Sequence, residues 1–256
     1  FEIEYFDSHL ERIISELEKR NLLENTIIVV TSDNGMPFPR VKGQVFPFDN
    51  RLPLAIRWGK GIKNPGRVIN DYVSFSDFAP TFLELAGIDL ANQNMEEFSG
   101  TSWKNIFNDD PIQKKRNYMI IGKERHDVGR QNDKGYPVRA IIAGRYFYSL
   151  NFKPNRWPAG NPETGYLNTD GSPSKTEILN LKREGSNEDY WNLSFGKRPE
   201  ETLYDLRKDP DCIENIAQNN KYSFIKDSLR KVLIEDLKIN KDPRILGYGD
   251  LFDNYT

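Results

Sequence analysis

Asp33, Asn34 and Gly35 follow directly on the apolar run from Thr26 to Thr31, TIIVVT. A carboxylate beside an amide oxygen makes a pair of hard donors of the kind Ca²⁺ or Mg²⁺ prefers, and Gly35 allows the chain to turn away sharply. In open α/β sheets ligands bind at the carboxyl ends of strands, which is where this pair would stand. Two donors fill only part of a calcium shell of about six to eight oxygens, and no further donor cluster stands out in the sequence. Asp-Asn-Gly is also ordinary turn chemistry, so the tripeptide alone leaves both readings open. Arg40 and Lys42 follow a few residues on; without further context Lys42 reads as a solvated loop lysine. Glu124, Arg125 and His126 combine an acceptor, a cation and one of only two imidazoles in the chain. A loop histidine by itself is more often solvated or structural. His9 lies on a helix face and reads as structural. Cys212, the single cysteine, has no internal disulfide partner and no second thiol for zinc.

These residues need a scaffold, and 256 residues with 37% hydrophobic content are enough for one large domain or two modest ones. A net charge of -2 gives no global positive field for nucleic acid or an anionic membrane surface. No apolar run approaches the roughly 18 residues of a membrane-spanning helix, and mean hydropathy is -0.70. Phe1 opens without a methionine, a basic leader or a cleavage site, so the chain reads as truncated or processed.

Ile3, Phe6, Leu10, Ile13, Ile14 and Leu17 recur at helical spacing and predict an amphipathic helix lying on a core, ended at Asn21 and Asn25. The run 26–31 predicts a strand buried on both faces, as in a parallel sheet, and 52–58 a second strand. Residues 71–88 predict a short helix with Ser76 or Asp77 as its N-cap, Pro80 in the first turn and Gly87 as its stop. Beyond residue 108 the composition turns polar, then yields strand-like runs at YMIIG, VRAIIA and RYFYSL. A subdomain boundary placed there gives residues 1–108 and 109–256. Residues 153–200 suit long surface loops, and SFIKDSLRKVLIEDLKI predicts a helix stopped at Asp242-Pro243.

Taken together, TIIVVTSDNG with MPFPRVKG, DFAPTFLELAGI, the GKERHDVGRQNDKGYPVRAIIAGRYFYSLNF stretch and ETLYDLRKDPDCIENIA resemble the sulfatase family, especially its heparan N-sulfatase branch. The resemblance runs over nearly the whole chain. It implies the C-terminal part of an alkaline-phosphatase-like α/β sandwich: residues 1–108 would complete the catalytic α/β domain, and 109–256 would form a small antiparallel sheet with a helix. By position, Asp33 and Asn34 would be calcium ligands, with Ca²⁺ ahead of Mg²⁺. Lys42 would contact the sulfate, where the branch carries an arginine, so the cation is kept without its fork geometry; Arg40 is the fallback. Glu124, Arg125 and His126 would bind substrate, while Asp77 would brace a helix and Tyr204 and Leu206 would pack.

The family's nucleophile is a formylglycine made in a Cys/Ser-x-Pro-Ser/Ala-Arg motif, which this sequence lacks. The resemblance therefore implies an enzyme whose missing N-terminal half carries the nucleophile, and a fragment inactive alone. The implied reaction removes N-sulfate from glucosamine of a heparan-type glycan. The alternatives are an O-sulfatase, a phosphoesterase of the same superfamily, or a catalytically dead module that binds sulfated glycan. The partners are a sulfated saccharide and the missing half, with neither nucleic acid nor membrane insertion. The RWPAGNPETG and NTDGSP loops resemble those of bacterial relatives, implying a periplasmic or secreted protein rather than a lysosomal one.

Overall fold

A computed structural model describes residues 1–91, 95–112, 115–125, 129–165 and 168–254. In chain order the helices are α1 (Glu2–Lys19), α2 (Pro47–Asn50), α3 (Phe78–Leu85), α4 (Lys104–Phe107), α5 (Pro173–Arg183), α6 (Asp189–Phe195) and α7 (Ser223–Ile239). The strands are β1 (Ile28–Thr31), β2 (Leu54–Arg57), β3 (Tyr118–Lys123), β4 (Val138–Ala143), β5 (Tyr146–Asn151) and β6 (Glu201–Asp205). The chain forms two compact units, residues 1–32 with 53–116, and residues 33–52 with 117–256.

In the first unit α1 forms where the apolar spacing predicts it, and Asn21, in the left-handed region, follows its end. The expected burial is not found: none of its residues is buried, and Ile3, Phe6 and Ile13 stay exposed. Spacing gives the helix a face but not what covers it. The run at 26–31 likewise forms a strand, β1, but its partner is antiparallel: Val29 lies opposite Ile56 and Thr31 opposite Leu54 of β2. It is half-buried rather than buried on both faces. A continuous β-branched run favours a strand without specifying the direction of its neighbour.

Asp77 organises the rest of this unit. Asp77 is the N-cap position of α3, one of the two expected, but its side chain makes no cap bond there; it serves the 3-10 turn of residues 75–77 just before, whose N-cap is Ser74. The Ser74 hydroxyl accepts from the Ser76 N–H, and the Asp77 carboxylate accepts from the Ser74 N–H at 2.8 Å, so the box closes one turn earlier than the sequence suggests. α3 then runs with Pro80 in its first turn and stops before Gly87, whose φ of +80 suits a residue without Cβ. The Asp77 side chain has no exposure, and it also accepts from the Thr101 N–H, the Trp103 indole and the Arg116 guanidinium. Burial would raise its pKa, but these donors together hold it below the ordinary carboxyl value.

In the second unit β3, β4, β5 and β6 form one antiparallel sheet in that order; the first three match the strand-like runs of the sequence, and β6 is not among them. Alternation sorts the side chains by face. Ile141, Tyr148, Leu150 and Leu203 meet Leu233 and Leu237 of α7. Ile121, Val138, Ala140, Phe147 and Tyr204 meet Val45, Phe46 and the buried Cys212. Leu206 packs beside this second cluster. Burial raises the Cys212 thiol to about 12, so it is held as an inert thiol.

Residues 153–200, expected as loops, contain α5 and α6. The Ser172 hydroxyl caps α5 on the Lys175 N–H, Pro173 takes the first turn, Lys182 and Arg183 the last, and Gly185 follows in the left-handed region. These are ordinary start and stop signals, hidden by a polar composition.

Replacing Asp77 by alanine leaves Arg116 and three further donors without their acceptor. We expect a loss of about 3 kcal/mol or more in the denaturant unfolding of the unit. Because the folded carboxyl is depressed, its contribution is present above the unfolded carboxyl pKa and disappears as pH falls through the folded one. The deficit of the variant should therefore shrink in acid. A deficit independent of pH down to acid unfolding would contradict the assignment.

Candidate functional site

Asp33 comes two residues after Thr31, at the carboxyl end of β1 in the chain. From there to α2 the backbone forms no ladder; its course is set by turn bonds such as Val41 N–H to the Phe38 carbonyl and Gln44 N–H to the Val41 carbonyl, and by side chains. Asp49, buried in α2, accepts from the Gly35 N–H and the Gln44 N–H, each at 2.9 Å, one on each carboxylate oxygen. Asn50 bonds the carbonyls of Gln44 and Phe46. The segment is thus drawn around one carboxylate.

This arrangement corrects the role of Gly35. Its backbone is not in the left-handed region; a Cβ there would lie 2.7 Å from Asp49 Oδ1 and 2.9 Å from Val41 Cγ1. Glycine is required by close approach rather than by a reversed φ.

With the loop fixed, the Asp33 side chain is exposed, and its Oδ1 accepts from the Asn34 N–H at 3.0 Å. Asn34 donates its amide N–H to the Gly35 carbonyl at 2.8 Å, which puts the amide oxygen at the other end of the group. A carboxylate and an amide oxygen on adjacent residues fit a hard cation as two of its ligands. Among the described residues there is no cluster of three or more His, Cys, Asp or Glu able to hold a metal. Asp33 and Asn34 can form part of a calcium shell, not the whole of one.

The two cations of the loop differ. Arg40 is strained into φ 70. Its guanidinium donates to the carbonyls of Asp211 and Cys212 and lies 4.6 Å from the Phe46 ring centre. Burial lowers its pKa, with nearby Tyr204 and Cys212 opposing. It ties the loop to the turn after β6. Lys42 is more open, its side chain 30% exposed, and its ammonium pairs with Asp170 at 2.9 Å. A half-exposed pair of this kind adds little stability, but it gives a flexible ammonium a defined position. Arg40 is thus engaged by carbonyls and a ring, whereas Lys42 is held by a single partly exposed ion pair among the bonds described.

Glu124 and Arg125 are engaged elsewhere. Glu124 accepts from Arg139 at 3.0 Å and from Arg244, and Arg139 also pairs with Asp242 at 2.7 Å. Arg125 pairs with Asp133 at 2.8 Å. No described bond joins either to the 33–50 loop. His126 lies outside the described residues.

Sequence reasoning passed over Asp49 and Asp170. A lone acid inside the apolar stretch VFPFDN, shortly after a glycine-containing loop, is a signal for the first; nothing local marks the second.

Comparison with known proteins finds similarity to sulfatases. The family model described as Sulfatase matches residues 2–88. An ulvan-active sulfatase of Formosa agariphila is 30% identical over 236 residues, 89% of this chain and 35% of the relative. The human N-sulphoglucosamine sulphohydrolase is 24% identical over 237 residues, 89% of this chain and 44% of the relative. A putative sulfatase from Bacteroides thetaiotaomicron shares the fold at a TM-score of 0.62 with 20% identity, over 92% of this chain and 41% of that one. The chain thus spans less than half the length of the curated relatives described.

Replacing Asp49 by alanine should leave the Gly35 N–H without its acceptor and the Gln44 N–H with the Val41 carbonyl alone, at about 1–3 kcal/mol in all. By hydrogen exchange, the Gly35 and Gln44 amides should lose protection at least about tenfold. Unchanged protection of both would show that other contacts hold the loop.

Proposed function

The chain belongs to the sulfatase family, and from that premise we propose that the whole protein removes sulfate from a sulfated glycan, with N-sulfated glucosamine as the preferred target. The observation that carries the reading is the 33–50 loop. It is rigidly closed around Asp49, yet turns Asp33, Asn34 and Lys42 to positions where a ligand can reach them. A second reading, an O-sulfatase acting on another sulfated polysaccharide, is favoured by the 30% identity to the ulvan-active sulfatase. The protein works in the bacterial periplasm or outside the cell.

In this reading Asp33 and Asn34 hold calcium through oxygen. When bound, the ion supplies positive charge to the sulfate oxygens and lowers the cost of charge developing there. Lys42 adds a fixed cation to the same group. Because Asp170 holds the ammonium before substrate arrives, little reorganisation is needed at the moment of reaction. Arg40 and Asp49 shape the loop without touching substrate. The nucleophile belongs to no motif of this sequence, and the chain by itself has no turnover.

In the intact enzyme, Lys42→Ala should lower kcat/KM on N-sulfated glucosamine by about a hundredfold, comparable to losing one oxyanion donor, with an unchanged melting temperature. Arg40→Ala should do the reverse, lowering the melting temperature while largely sparing kcat/KM. If Arg40→Ala abolishes turnover in a fully folded protein and Lys42→Ala does not, the sulfate contact moves to Arg40.

A further inference from the structure

The sheet face that meets Phe46 ends in polar side chains. Lys123 of β3, Ser149 and Asn151 of β5 and Thr202 of β6, together with Gln44, Tyr136 and Arg198, line a cavity of about 20 Å³ that no Asp or Glu side chain borders. That is room for one occupant the size of a water molecule.

The lining has more donors than acceptors. Lys123 is 8% exposed. Its ammonium donates to the Pro158 carbonyl at 2.9 Å and faces the Tyr136 ring at 5.8 Å, leaving further N–H bonds unused. Arg198 gives one N–H to the Leu193 carbonyl at 3.3 Å and lies against the Phe46 ring, while its Nε is buried without an acceptor. Gln44 is 7% exposed, and its Nε2 is likewise buried without an acceptor. The Tyr136 oxygen already accepts from Asn151 at 2.8 Å, so its hydroxyl has a proton to give. Ser149 and Thr202 satisfy each other at 2.7 Å.

Two buried cations without an adjoining carboxylate are costly. One escape is for Lys123 to lose its proton: burial, with Arg130 and Arg198 nearby, brings it down to about 7, and Asp49 opposes this only in part. That escape leaves Arg198 Nε and Gln44 Nε2 still unbonded. A water molecule can accept two hydrogen bonds but must also donate, and the cavity offers little to receive its protons. An anion answers both deficits, since it accepts several N–H bonds and neutralises the charge.

We propose that this cavity binds one small monovalent anion, chloride in ordinary buffers, held by Lys123, Arg198 and Gln44. Sulfate and phosphate are too large for it. The anion sits behind the 33–50 loop, because Gln44, whose backbone N–H bonds Asp49, also lines the cavity. It would brace that loop from within the core. The inference stands whether or not the whole protein is a sulfatase.

The test uses the full chain and bromide as the probe. Crystals grown in sodium bromide should show one anomalous peak inside the cavity, in contact with Lys123 and Gln44. At equal ionic strength, melting in chloride or bromide should exceed melting in gluconate by about 2–4 °C. Gln44→Leu should remove most of this difference, and Lys123→Met all of it. Should Lys123→Met fail to fold, the unmodified chain and Gln44→Leu still decide. A cavity holding water without bromide, or equal melting in halide and gluconate, would overturn the proposal.

Discussion

The carboxylate of Asp49 is the acceptor around which residues 33–50 are arranged. It has two oxygens and takes a backbone N–H on each, from Gly35 at one end of the loop and Gln44 at the other. A loop closed by backbone donors has few alternatives, because releasing them leaves the buried carboxylate without the bonds that hold it. Gly35 must be glycine to lie against this carboxylate. Once Gln44 is fixed, Val45 and Phe46 follow into the core, and Arg40 can stack on Phe46 while it holds the Asp211 and Cys212 carbonyls. What is left pointing outward is the short list that could act on a ligand. Rigid support behind an exposed first layer is what precise binding of a small charged group requires.

Charge is handled in three ways across the molecule. Asp77 is buried but surrounded by donors, so it stays ionised and binds its unit together. Glu124, Arg139, Asp242 and Arg244 form a network in which each charge has an opposite neighbour. Lys123 and Arg198 have carbonyls and aromatic rings for company instead. That contrast sets the cavity apart from ordinary structural ion pairing.

Local signals made much of the fold legible. Apolar spacing gave α1 and α7, β-branched runs gave β1 and β3 to β5, and Pro80 with Gly87 framed α3. What the sequence hid were properties that depend on partners distant in the chain. β1 reads as buried because its residues are apolar, yet its burial and the direction of β2 are set by what lies beside it. Asp77 stands at the N-cap of α3, yet its carboxylate caps nothing there and reaches back to the Ser74 N–H of the preceding turn. α5 and α6 were masked by Lys, Asn and Ser, though Ser172, Pro173 and Gly185 marked one of them. In the site, Asp33 and Asn34 were visible as a chemical pair. Asp49, Asp170 and the cavity around Lys123 were not, since each acts through contacts made across the second unit.

The central claim is that this loop presents Asp33 and Asn34 as oxygen ligands to calcium. It is tested most directly by calcium titration calorimetry on the intact protein and its Asp33→Ala variant, with folding of both checked by melting. The account predicts that the variant binds calcium about a hundredfold more weakly or not measurably. Equal affinity in two equally stable proteins would contradict it.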